Sequence, residues 1–324
     1  MQPVEQIDEA FEARDLHVCR GYIRNGHAAR AILSRFMSQD DATRRIAGLR
    51  SGAGSAVEDT LPVGEGKPAQ KQFISGVILY DETIRQTAKD GTPLVKLLQA
   101  QNIIPGIKVD AGAKPLAGSP DETVTEGLDG LTGRVEEYIK LGARFAKWRA
   151  VIDIGRNMPS YNCINGNAQA LARYAALCVE GGLVPIVEPE ILMDGEHDID
   201  TCEAITEWVL KETYSQLYYA KVPLEQTILK PNMVIAGKKS AKQASRQEVA
   251  ERTVKILKRC VPPAVPGIAF LSGGQSDEDA TAHLSLMHAL GPLPWTLSFS
   301  YGRALQAAAL KAWGGKPENV AAGQ

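Results

Sequence analysis

Long apolar runs are missing from this 324-residue chain. No segment is apolar for long enough to span a bilayer and the N-terminus carries no secretory apolar region, so neither a membrane nor a secreted class is expected. An excess of one charge is missing too. A formal net charge of -2 leaves no electrostatic footprint for nucleic acid. The N-terminal arginines hint at a transit peptide, but Glu5, Asp8, Glu9, Glu12 and Asp15 argue against one, which leaves a cytoplasmic location as the expectation. Cysteine and histidine are scarce, at five each. Cys19, Cys163, Cys178, Cys202 and Cys260 show no short paired spacing, so buried thiols are expected rather than a disulfide scaffold or zinc framework. The histidines form no ligand cluster, and His197 in the Asp194–Asp198 loop is read as tying that loop by hydrogen bonds. No metal site is expected.

What the chain does have is alternation. Seven short apolar runs bounded by turn residues read as strands: Phe73–Tyr80, Ile104–Asp110, Phe145–Ile152, Leu183–Ile191, Thr227–Val234, Gly267–Ser272 and Trp295–Tyr301. Amphipathic segments lie between them, namely Gly133–Leu141, Asn167–Val179, Ile199–Leu217, Gln247–Arg259, Glu278–Leu290 and Arg303–Trp313. Strand followed by crossover helix over roughly 240 residues predicts parallel pairing and favours a closed (β/α)8 TIM barrel over an open doubly wound sheet. The first strand of such a barrel is atypical or missing. Residues 1–72 read as an atypical N-terminal segment, partly disordered, in which Gly52–Gly66 looks like a linker, and residues 73–324 as the barrel.

The most informative stretch is Thr227–Val234, which sets Lys230 at the end of an apolar strand. A buried ammonium is costly, and a lowered pKa both relieves that cost and makes the amine a nucleophile for carbonyls. A strand-end lysine can also snorkel to solvent. Company decides between these readings. Lys108 and Asp110, Lys147 and Arg149, and Glu188 and Glu190 end other strands with a spacing of two, which puts each pair on one strand face and into one barrel mouth. The last two strands run into Leu271–Ser276 and Ser298–Arg303, small-residue loops that precede helix starts. Free backbone N–H groups there suit a phosphate, and barrels often hold one at these loops.

Several motifs together resemble class I fructose-bisphosphate aldolase. They are Gly106–Gly112, Pro115–Gly118, Gly127–Leu131, Phe145–Arg149, Val184–Leu192, Leu229–Val234, Phe270–Ser276 and Ser298–Leu305, within a match from about Phe73 to Val320. The resemblance implies reversible cleavage of fructose 1,6-bisphosphate to dihydroxyacetone phosphate and glyceraldehyde 3-phosphate, a step of glycolysis and gluconeogenesis, without cofactor or metal. By the family pattern Lys230 forms the Schiff base. Glu188 is the acid/base glutamate, Glu190 a neighbour that pairs with lysines, and Lys147 the lysine that supports carbinolamine chemistry. Lys108 and Arg149 match the distal phosphate end; Ser272, Gly273, Gly302 and Arg303 match the other phosphate's cradle. A cytoplasmic homotetramer acting on a sugar phosphate is the implied assembly.

The chain departs from that pattern at both ends. The family's Leu-Ala-Ala-Asp-Glu-Ser motif, with its catalytic aspartate, does not occur ahead of Phe73, and the tail ending in tyrosine does not follow Lys316. Loss of the tail alone is expected to slow proton steps. Loss of a barrel strand is graver, because it exposes sheet edges. An alternative is therefore a catalytically impaired aldolase-like protein that binds sugar phosphates or partners; another Schiff-base barrel, such as a transaldolase, fits the two phosphate cradles less well.

Overall fold

The structure, a computed structural model, describes residues 74–88, 90–302, 309, 311–319 and 322. The expectations for the first strand, the Gly52–Gly66 linker, the boundary at residue 72, Cys19 and Arg303 lie outside the described residues. All seven apolar runs form strands of one sheet. They are β1 (Gly76–Leu79), β2 (Ile104–Lys108), β5 (Phe145–Ile152), β6 (Val184–Ile191), β7 (Ile228–Leu229), β8 (Gly267–Phe270) and β9 (Thr296–Phe299). Every neighbouring pair is parallel and the spatial order is the chain order. A doubly wound sheet would reverse that order at a switch point. The sequential order is that of a TIM barrel.

Curling of the sheet is visible in its inner core. Ile78, Ile104, Phe145, Val184, Ile186, Ile228 and Ala269 come from six strands yet pack in one cluster, which a flat sheet could not achieve. Phe145 fills the space beside Gly106: a Cβ there would meet the Phe145 ring at 2.3 Å. Alternate residues face outward. Ile107, Trp148 and Val187 join the layer under the first helices, and Leu229, Ile268 and Phe270 join the layer under the later ones. Period-two alternation therefore turns Lys108, Lys147, Glu188 and Lys230 inward.

Helices α1 (Asp81–Arg85), α2 (Leu94–Ala100), α3 (Leu131–Leu141), α4 (Tyr161–Gly181), α5 (Ile199–Tyr219), α6 (Arg246–Cys260) and α7 (Asp277–Ala289) follow the strands. Four begin on side-chain caps. Ser160, Asp198, Ser245 and Ser276 accept from the backbone N–H three residues on, satisfying donors that a helix start leaves orphaned. The hairpin of β3 (Ala113–Pro115) and β4 (Thr123–Thr125) was not expected from the sequence. Its strands are too short for a periodic signal. No helix among the described residues is long and apolar enough to cross a membrane.

Cys163, Cys178, Cys202 and Cys260 are buried free thiols. His197 differs from expectation. Its ring nitrogens are buried without a hydrogen-bond partner among the described residues, and its carbonyl instead accepts from Gly237 N at 2.8 Å. The loop is tied by backbone, so the imidazole is free to stay neutral, and burial lowers its pKa.

Candidate active site

The C-terminal strand ends bring the charged residues together in two chains of contact. The first is centred on Glu188, whose Oε1 lies 3.0 Å from Lys230 Nζ and whose Oε2 lies 3.3 Å from Lys147 Nζ. All three are enclosed, with exposures of 2% for Glu188, 8% for Lys230 and 9% for Lys147. The Lys147 contact is an ion pair without hydrogen-bond alignment, so Glu188 Oε2 makes no hydrogen bond among the described residues. Register explains the meeting. Lys147 pairs with Ile186 and Ile186 with Ile228, so Glu188 and Lys230 stand two residues higher on neighbouring strands.

β7 is only two residues long, and Lys230 stands directly after it. Its backbone N–H still reaches Val187 O at 2.7 Å. Pro231 then offers no donor, and its carbonyl accepts from Leu271 N at 3.1 Å, joining the loops that follow β7 and β8. Burial lowers the pKa of the Lys230 amine; Glu188 opposes this, and nearby Lys147 adds to the lowering. A neutral amine is the nucleophilic form.

The second chain links Lys108, Asp110, Arg149 and Glu190. Lys108 Nζ pairs with Asp110 Oδ1 at 2.5 Å and donates to the Asp110 carbonyl at 3.0 Å. Asp110 Oδ2 accepts from the Arg149 backbone N–H at 3.2 Å, which makes this carboxylate the bracket between β2 and β5. Arg149 Nε donates to Glu190. The expectation for Glu190 is a lysine partner; its ion pair is with Arg149, and it acts on Lys230 through its charge. The cause is register: Arg149 stands beside Glu188, and Glu190 is the next residue on the same face of β6. The hydrogen bond to Glu190 raises the Arg149 pKa further.

Ser272 and Gly273 lie in the loop after β8, where Gln275 N reaches back to Ser272 O at 3.0 Å. Gly302 follows β9, whose end is tied to β8 by Ser300 N donating to Phe270 O at 2.9 Å. These loops share the C-terminal rim of the sheet with Lys230.

The matching family model is that described as fructose-bisphosphate aldolase class-I, over residues 65–324. A probable fructose-bisphosphate aldolase class 1 of Xanthomonas campestris is 59% identical over 281 residues, covering 85% of this chain and 84% of the relative. The chain belongs to the class I fructose-bisphosphate aldolases. Among other members of this aldolase family, the cytosolic fructose-bisphosphate aldolase 5 of Arabidopsis thaliana is 58% identical over 258 residues, 79% of this chain and 72% of the relative. The aldolase of Plasmodium falciparum, solved with TRAP and a small-molecule inhibitor, superposes with a TM-score of 0.80 at 43% identity and covers 92% of this chain and 90% of that one.

Two residues of this candidate site were missed in the sequence. The Tyr80 ring, one residue past β1, stands 5.8 Å from Lys108 Nζ, a cation–π distance. Asn232 Oδ1 accepts from Ile191 N at 3.0 Å and joins the tops of β6 and β7. A signal for Asn232 existed. It stands two residues after Lys230 in the Thr227–Val234 run that reads as one strand.

Proposed function

We propose that this chain reversibly cleaves fructose 1,6-bisphosphate into dihydroxyacetone phosphate and glyceraldehyde 3-phosphate through a Schiff base on Lys230. The observation that carries the reading is a buried lysine of lowered pKa held 3.0 Å from Glu188, which is itself shared with Lys147. The Lys230 amine adds to the ketone carbon of the open-chain sugar, and loss of water leaves an iminium. The C3–C4 bond then breaks with its electron pair flowing into the iminium, which becomes an enamine, while the C4 hydroxyl proton passes to a base. Glyceraldehyde 3-phosphate leaves. Protonation of the enamine at C3 and hydrolysis of the imine release dihydroxyacetone phosphate and return the lysine.

Glu188 is the acid/base group in this reading, since its Oε2 is an acceptor with no competing donor aligned on it among the described residues. Lys147 favours the neutral amine by like-charge repulsion on Lys230. Lys108 and Arg149 receive the distal phosphate, with Asp110 and Glu190 holding them in position. Ser272, Gly273 and Gly302 receive the other phosphate together with Arg303. The relatives' cytosolic naming supports a cytoplasmic enzyme, and the family's habit supports a homotetramer. The catalytically impaired alternative is not favoured, because the Lys230, Glu188 and Lys147 contacts are intact.

Borohydride reduction in the presence of dihydroxyacetone phosphate tests this reading. Peptide mapping is expected to find the adduct on Lys230; well-folded protein that traps nothing would refute it.

A further inference from the structure

The Ser272–Gly274 loop rests on two side chains supplied by its neighbours. Gly273 and Gly274 both have positive φ, +55° and +86°. A Cβ on Gly273 would lie 1.5 Å from Met193 Cε, and one on Gly274 would lie 2.5 Å from Lys238 Nζ. The two segments that carry these side chains follow β6 and β7 and are laced by backbone bonds. Gly237 N donates to His197 O at 2.8 Å, Lys238 N to Met193 O at 2.8 Å, and Lys239 N to Gly195 O at 3.0 Å. The Lys238 backbone is thus fixed while its ammonium bears on the loop.

That ammonium also contacts Asp194 Oδ1 at 2.7 Å, and both side chains are about half exposed or more. An exposed pair of this kind is weak and is readily exchanged for a better anion. A cation here offsets the acidic start of the next helix. That helix opens with Asp277, Glu278 and Asp279, whose charge opposes an anion near that N-terminus.

We propose that Lys238 is a phosphate-binding residue of the Ser272–Gly274 loop: it exchanges Asp194 for the phosphate next to the ketone carbon and sets affinity for that end of the substrate. This rests on the reading of the loop as a phosphate cradle. A fructose 1-phosphate and a fructose 1,6-bisphosphate present the same group there, so both should depend on Lys238 equally. Lys108, at the opposite rim, should matter only for the bisphosphate.

The test measures kcat and KM for both sugars, and competitive inhibition by inorganic phosphate, in Lys238→Met, Lys238→Arg, Asp194→Asn and Ser272→Ala. Lys238→Met is expected to raise both KM values and the phosphate inhibition constant about three- to tenfold, with kcat within about twofold, as for loss of one half-exposed charge-assisted contact. Lys238→Arg should restore them, and Asp194→Asn should not raise KM. If Asp194→Asn reproduces the Lys238→Met defect, the pair is a loop tie and the proposal falls. If Ser272→Ala raises KM while Lys238→Met does not, the cradle stands without Lys238; if neither does, the cradle reading itself fails and the proposal with it.

Discussion

Glu188 Oε1 stands 3.0 Å from Lys230 Nζ, and both residues are buried at the mouth of the barrel. A carboxylate at this distance can take a proton from a substrate hydroxyl close to the imine carbon and return it later. Replacing it separates two steps that the wild-type site runs together. Glu188→Gln keeps the shape and removes the base, so carbon–carbon cleavage should slow by about 10²- to 10⁴-fold. Borohydride trapping on Lys230 should persist in the same protein. Equal loss of trapping and cleavage would move Glu188 into imine formation instead.

The lowered pKa of Lys230 sets a direction for the pH dependence. Its folded value lies below the unfolded one of about 10.4, so between the two values the unfolded chain binds the extra proton. Stability from this group therefore rises with pH through that window and is constant below the folded value. The rate of imine trapping should rise over the acid edge of the same window as the amine becomes neutral. Lys147 contributes to the lowering, so Lys147→Met should move the trapping profile to higher pH. A profile that stays in place would remove Lys147 from this role.

Lys108 is held at the rim by Asp110 and by the Tyr80 ring. If it receives the distal phosphate, its loss should discriminate between substrates. Lys108→Met should raise KM for fructose 1,6-bisphosphate by about ten- to a hundredfold, the range for a hydrogen bond to a charged group, and leave fructose 1-phosphate nearly unchanged. Steady-state kinetics with both sugars decide this. Equal effects on the two would place Lys108 elsewhere in the reaction.

The strands were legible because each is an apolar run closed by turn residues, and the i, i+2 charges at their ends announced a mouth. Lys230, Glu188 and Lys147 follow from that pattern and do meet. Partner choice did not follow. Glu190 takes Arg149 because of the β5–β6 register, which no single strand encodes. The β3–β4 hairpin carries three residues per strand, too few for a period to show. Lys238 and Met193 meet the β8 loop through pairing between two long connections, and connections have no periodicity to read.

Gly106 shows how the inner core limits the sequence below the site. Its φ is not the constraint, since it lies within β2 in ordinary strand geometry. The constraint is the Phe145 ring, whose Cε2 and Cζ would both stand 2.3 Å from an added Cβ. A ring cannot fold away as a methionine end can, so Gly106→Ala must shift β2 against β5, the strands that carry Lys108 and Lys147. Overpacking of this kind should cost about 1–3 kcal/mol in denaturant unfolding. Phe145→Leu in the same chain should recover part of that loss, giving a coupling of about 0.5–3 kcal/mol in a double-mutant cycle. Strict additivity would mean that the strands, rather than the ring, absorb the methyl group.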